Sequence, residues 1–472
     1  MKFINREREL AFLESEFHRE GSSLVIIYGR RRLGKTTLIK EFLRGKRAGF
    51  FLATEELEND NRASFRQIIA DLTGNDLLRN SIASWEDIFK VISDSSPDEK
   101  LIVVIDEFQN LGKSNPAFPS IMQKVWDNLL INSNIMLILC GSLISMMESQ
   151  TLNYTSPLYG RRTGQIKLKQ IEYRFFHKFF EKKTNQELLD IYAVTGGVPK
   201  YAEMFPMRAG VDLFTTLRQA VLSPDAMLYD EPVFLLSQEL TDSRTYFSIL
   251  KALAAGNRKI SSLATILEIK QTSLPKYLKT LIELDVLERR TPVTEVSPEK
   301  SKRGLYYFKD NFLEFWFKFV FPRKSDLEAG YVDDVENGIK QRFAENHVAF
   351  VFEEICRKYA QQLSACGKLP FKLAKVGAWW NNNAEIDIVG FDETRSAWLF
   401  GECKYTNEPV SERVLYALID KCALQSICPD TAEKVYVLFA KTGFTKKLAS
   451  LAKERKDVLL IALETMDFER AV

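Results

Sequence analysis

Gly29-Arg30-Arg31-Arg32-Leu33-Gly34-Lys35-Thr36 fits the pattern Gly-x4-Gly-Lys-Thr without a mismatch, and its surroundings decide the fold. The apolar run Leu24-Val25-Ile26-Ile27-Tyr28 before it reads as a buried strand. The segment from Thr37 to Leu43 after it reads as the start of a helix. A strand, a glycine loop and a helix in that order form a phosphate cradle. Successive backbone N–H groups of Arg30, Arg31, Arg32, Leu33 and Gly34 turn towards one anion, and the helix N-terminus adds its positive dipole end. In this pattern Lys35 reaches the phosphates, Thr36 offers a hydroxyl to Mg2+, and Thr37 continues the binding segment.

About seventy residues on, Leu101-Ile102-Val103-Val104-Ile105 ends in Asp106-Glu107. A run apolar on both faces suits a central parallel strand covered by helices. Ligand groups belong at the carboxyl ends of such strands. Asp106 is expected to hold Mg2+ and Glu107 to polarise the attacking water. A third apolar strand, Ile135 to Cys140, leads to Gly141-Ser142. Ser142 has two readings here, a sensor beside the γ-phosphate or the N-cap of the following apolar helix. Together these segments predict an α/β nucleotide-binding domain that takes ATP and Mg2+.

Length and composition set bounds on the rest. A chain of 472 residues exceeds one typical core and predicts three or four domains. The net charge of +2 does not by itself point to a nucleic-acid partner. No apolar stretch reaches 18 residues, so no membrane span is expected. The charged opening MKFINREREL reads as no signal peptide. Six cysteines without a Cys-x-x-Cys pair read as reduced thiols of a cytoplasmic protein, and three scattered histidines do not suggest zinc.

The chain resembles the archaeal family of P-loop ATPases related to AAA+ and STAND proteins. The resemblance rests on FINREREL, IIYGRRRLGKTTLI, LIVVIDEFQNL, LILCGSLISMM, SPLYGRRTG and TGGVPKYAE, in order over roughly the first 205 residues. It implies that Arg6 and Glu7 close over the adenine, and that Gly197-Val198-Pro199 is the turn bringing a helical lid to the nucleotide. It also implies that Arg161 and Arg162 are the family's arginine pair, one of them an arginine finger acting in cis or from a neighbouring subunit.

Residues 171–240, with Tyr173, Phe175, Phe176, Phe179 and Phe180 at helical spacing, read as the lid with aromatic core stripes. From 241 to 325 the pattern changes. Helices are expected at 245–253, from Ile260 with serine as N-cap, and from Leu274 to Leu284 behind a Gln271-Thr272-Ser273 cap. Two short strands follow, at 286–290 and 305–308. Three helices and a hairpin make a winged helix-turn-helix. Residues 244–309 hold thirteen Lys and Arg against six Asp and Glu, a surplus of seven that supports DNA binding. Lys270, Gln271, Thr272 and Lys276 stand where base or phosphate contacts would be made. The competing reading is a packing module against the ATPase.

Residues 326–472 hold a second candidate site. The strand around Glu385-Ile386-Asp387 is followed by Asp392 to Ser396, a turn, and then by the strand Ala397 to Lys404. Alternation places Glu402 and Lys404 on one face, and pairing of the strands brings Asp387 beside them. Two carboxylates and a lysine can bind Mg2+ and activate water. The pattern looks like the restriction-endonuclease-like core. That resemblance implies a further helix carboxylate, Glu353 or Glu354, of which Glu353 is the expected metal ligand. The competing reading is a surface salt bridge or a fold without activity.

The expected architecture is therefore a P-loop parallel sheet at 1–170, a lid, a winged helix and an α/β nuclease-like tail. The expected function is ATP hydrolysis coupled to DNA binding, with protein partners or a homo-oligomer and no membrane. The alternatives are a nucleotide-gated signalling protein with an inactive tail, and a structural DNA-binding regulator.

Overall fold

The computed structural model describes residues 3–96, 99–207, 210–240 and 242–468, so the expected boundary at residue 241 lies outside them. The chain forms two compact units. The first comprises Met1–Gln170, Val198–Lys200 and Leu235–Thr241, and the second the remainder.

In the first unit five strands, β1 (Ser23–Tyr28), β2 (Ala48–Leu52), β3 (Leu101–Asp106), β4 (Ile135–Gly141) and β5 (Gly164–Lys167), make one sheet in the order β2-β3-β4-β1-β5. All four pairings are parallel. Every residue of β1, β3 and β4 is buried, which is why these stretches read as unbroken apolar runs. Val, Ile and Leu fit a pleated surface packed on both sides. Parallel register leaves the loop after β1 and the carboxylates after β3 at one end of the sheet.

In the second unit, helices Ser243–Ala254, Ile260–Leu267 and Leu274–Glu283 precede an antiparallel ribbon of β6 (Leu287–Arg290) and β7 (Leu305–Phe308). The expected serine cap is not formed. Lys259 occupies the N-cap of the second helix, and both serines fall inside it. Gln271–Ser273 form a 3-10 turn rather than a side-chain cap. The connection between β6 and β7 is tied down: the Val293 N–H donates to the Ala378 carbonyl at 2.9 Å, and Trp380 Nε1 donates to the Arg303 carbonyl at 3.2 Å.

The same unit ends in a five-stranded mixed sheet, order β12-β11-β10-β9-β8. Its strands are β8 (Lys375–Trp380), β9 (Glu385–Phe391), β10 (Ala397–Lys404), β11 (Glu433–Ala440) and β12 (Val458–Ala462). β8, β9 and β10 run antiparallel, whereas β10, β11 and β12 run parallel. Trp398, Phe400 and Leu438 pack with Leu415 and Leu418 of the helix Glu412–Leu424. In the 171–180 stretch Tyr173 and Phe176 are buried and Phe176 packs on Tyr192 at 5.0 Å, while the helix covers only Tyr173–Phe176 and Phe175, Phe179 and Phe180, expected in the same stripes, are half-buried. No helix among the described residues is long and apolar enough to cross a membrane.

Candidate functional site

The loop after β1 owes its path to two glycines. Gly29 has φ 144°, and a Cβ there would meet the Leu168 carbonyl oxygen at 2.6 Å. Gly34 has φ 87° and caps the helix Lys35–Phe42 in the left-handed region. Within the loop, Lys35 Nζ donates to the carbonyls of Gly29 (2.8 Å) and Arg30 (3.0 Å). Burial pushes the Lys35 pKa down, while Glu107 and Asp106 are among the groups that oppose the shift. Arg30 and Leu33 are buried, Arg31 is exposed and Arg32 is half-buried at φ 72°.

Thr36 Oγ1 donates to Asp106 Oδ2 at 2.8 Å, joining the loop to the end of β3. A hydroxyl and a carboxylate are hard oxygen donors, which fits Mg2+. Glu107 takes φ 53°, a left-handed conformation uncommon for a residue with a Cβ. Its N–H donates to Asp106 Oδ1 at 3.0 Å. Ser142 Oγ lies 3.0 and 2.7 Å from the two Glu107 carboxylate oxygens, and Gln109 Nε2 also donates to that carboxylate. Ser142 is not the cap of the next helix. Leu143 is the N-cap of Ile144–Met147, and the Ile144 N–H is received by Glu239 Oε1 at 3.0 Å.

Arg6 is buried, and its Nη2 donates to the carbonyls of Lys169 (2.7 Å) and Leu33 (3.3 Å). It therefore touches the phosphate loop directly. Glu7 starts the first helix and is exposed. Pro199 starts the helix Pro199–Met204 and belongs to the first unit. Arg161 and Arg162 lie just before β5, at the amino ends of the parallel strands, whereas the loop is at the carboxyl ends. Arg161 forms a two-pronged pair with Asp127, both contacts at 2.8 Å. The length of β1 separates this pair from the loop of its own chain.

In the tail, the β9–β10 ladder ends at the Gly401–Ile388 pair, and Asp387 and Glu402 are the next residues along the two strands. Asp387 Oδ2 accepts the Cys403 N–H at 2.8 Å. Glu402 is gripped by two lysines, Lys404 at 2.8 Å and Lys421 at 3.2 Å. Burial, then the neighbouring Glu402, pushes Asp387 up to about 6. Both carboxylates line an open cleft of about 610 Å³ together with Glu385, Asp420 and Lys421. Glu353, expected as a third ligand, sits on the helix Ala349–Ala365 and pairs with Arg357 at 3.8 Å. Burial, then Asp387, pushes Glu353 up to about 8. Among the described residues no three His, Cys, Asp or Glu side chains gather as a metal-holding group. Glu353 is therefore not assembled with Asp387 and Glu402 into the expected three-ligand set. The donors fit Mg2+ only as a two-carboxylate site completed by water.

Gln109, Glu239, Lys421 and Arg357 escaped sequence reading. Gln109 lies two residues past Glu107 and was within reach of inspection. The others are brought in from distant helices without a local signal.

The profile of ATPase domains found predominantly in Archaea matches residues 3–205, and that of archaeal and bacterial proteins of unknown function matches residues 316–415. A Methanocaldococcus jannaschii protein, MJECL04, is 35% identical over 464 residues, covering 98% of this chain and 99% of that one. An ATP-binding protein of the same organism, MJ0423, is 53% identical over 45 residues, 10% of this chain and 76% of that one. Among solved structures, the Walker-type ATPase PABY2304 of Pyrococcus abyssi overlaps 67% of this chain and 96% of its own, with a TM-score of 0.51 and 19% identity.

Proposed function

The chain belongs to the archaeal P-loop ATPase family, and on that premise we propose that it binds ATP and hydrolyses it at the loop from Gly29 to Thr36. The observation that carries this reading is the Thr36–Asp106 bond, with Glu107 next in the chain. Lys35 exchanges its two loop carbonyls for phosphate oxygens, and the loop N–H groups take the rest of the charge. Thr36 and Asp106 would hold Mg2+, which would supply neutralisation of phosphate charge there. Glu107 orients the attacking water and accepts its proton, while Ser142 and Gln109 hold the carboxylate. Arg6, Glu7 and Pro199 border the nucleotide. Arg161 and Arg162 serve a neighbouring copy, which implies a homo-oligomer. Phosphate release from ATP by the parent, lost in Lys35→Ala, tests the reading; release by Lys35→Ala at the parent's rate overturns it.

The helical module at 243–308 is read as a winged helix that binds DNA. Lys270, Gln271, Thr272 and Lys276 are all exposed, and the surplus of seven positive charges over residues 244–309 supports phosphate contact. In the tail, Asp387 and Glu402 are read as a divalent-metal pair and Lys404 as the cation that stabilises transition-state charge in phosphodiester cleavage. A second reading, an inactive tail on a nucleotide-gated regulator, draws support from Glu402, whose two oxygens are both held by lysines. Incubation with plasmid and Mg2+, with and without ATP, separates the two by nicking.

A further inference from the structure

Asp387 occupies a weak point in its sheet. The β9–β10 ladder stops at the Gly401–Ile388 pair, one residue before it. On the other side, the β8–β9 register shifts between Gly377 and Trp379, opposite the same stretch of β9. Two contacts reach Asp387 at this irregular point: the Cys403 N–H donates to Oδ2 at 2.8 Å, and Arg357 Nη1 donates to the Asp387 carbonyl at 3.0 Å.

Arg357 is itself buried and is fixed by Glu354. Glu354 Oε2 receives Arg357 Nη2 at 3.1 Å and Nε at 3.3 Å. The same oxygen lies 3.1 Å from Arg290 Nη2. Arg290 is the last residue of β6 in the basic module, where it also pairs with Glu288 and lies over the Tyr307 ring at 4.5 Å. One carboxylate oxygen thus bridges two guanidinium groups, one in the ribbon and one in the helix behind the acidic cleft. Arginine suits both places, since its planar fork serves several acceptors at once.

We propose that Arg290, Glu354 and Arg357 are positioning residues that tie the basic module to Asp387 and hold the Asp387–Glu402 pair in cation-binding geometry. This rests on the reading of that pair as a divalent-metal site. None of the three touches the metal or the substrate; each acts through the next, and Arg357 acts on the Asp387 backbone. Outer partners of this kind commonly change metal affinity by about 10- to 100-fold when removed.

The test is Mn2+ binding to the full-length, nucleotide-free chain, followed by loss of the free-ion electron paramagnetic resonance signal. Asp387→Asn identifies the site, because it should abolish that binding. Arg290→Gln and Glu354→Gln should each weaken it about tenfold. Arg290→Lys, which keeps a cation beside Glu354, should restore most of the affinity. The double variant should be no weaker than Glu354→Gln alone, since both act along one path. Arg290 is partly exposed, and thermal melting and ATP turnover check that its variants keep the fold. Parent-like Mn2+ affinity in Arg290→Gln and Glu354→Gln, with binding lost in Asp387→Asn, overturns the relay and leaves the metal pair standing. Absence of any Mn2+ binding that depends on Asp387 overturns both.

Discussion

Glu107→Gln should separate nucleotide binding from turnover at the proposed ATPase site. Glu107 sits at φ 53° with its N–H on Asp106, and glutamine keeps the same Cβ and backbone, so local strain is unchanged. Ser142 Oγ, at 2.7 and 3.0 Å, can accept from the new amide where it donated to the carboxylate. Gln109 still finds the remaining carbonyl oxygen. The fold and the Lys35 and Thr36 contacts are untouched. What is lost is the carboxylate proposed to take the proton from water. Removing such a group typically costs about 10²–10⁴ in rate. That factor corresponds to about 2.7–5.4 kcal/mol of barrier. The assay is phosphate release at saturating ATP, alongside equilibrium binding of a fluorescent ATP analogue. Slow turnover with parent-like affinity is expected. Parent-like phosphate release would remove Glu107 from the mechanism, and a collapse of affinity would show that its role is in binding.

Lys35→Ala should weaken ATP binding at least about tenfold, measured by calorimetry, because a charge-assisted phosphate contact is lost. Arg161→Ala should cost less than about 1 kcal/mol in thermal melting, as its pair with Asp127 is near the surface, and should leave ATP binding by the monomer unchanged. Lys270→Glu with Lys276→Glu should weaken duplex DNA binding and flatten its salt dependence in anisotropy titrations; an unaltered slope would make the module a packing element. Asp387 is raised to about 6 from an ordinary value near 3.8. Between those values the unfolded chain has released a proton that the folded chain retains, so folding stability falls as pH rises through that window. Asp387→Asn should therefore raise the melting temperature of the metal-free protein at pH 7.5 and flatten its pH dependence from 4 to 6.

Much of the ATPase domain was legible in residues 24–142, because its signals are local. A buried parallel strand must be apolar on both faces, and a phosphate loop needs Gly29 and Gly34 where the backbone turns and approaches Leu168. The order of strand, loop and helix, and the carboxylates after β3, follow from chain direction alone. The β9–β10 hairpin was legible for the same reason, since alternation and a short turn bring Asp387 to the end of the ladder beside Glu402 and Cys403.

What the tertiary structure decided is everything carried by long-range neighbours. Ser142 had two readings in the sequence, and only the fold, with Leu143 as the N-cap and Ser142 on Glu107, sets the capping one aside. Arg161 and Arg162 sit in a motif next to the site by family resemblance, yet parallel strand direction puts them at the far end of the sheet. Lys421 comes from a helix beyond β10 and neutralises Glu402, which residue spacing could not reveal. The bridge from Arg290 through Glu354 to Arg357 spans 67 residues of chain. Backbone geometry and period are set by adjacent residues and so are written locally. A charge's partner is set by whichever distant element packs within hydrogen-bond reach, and that is written only in the fold.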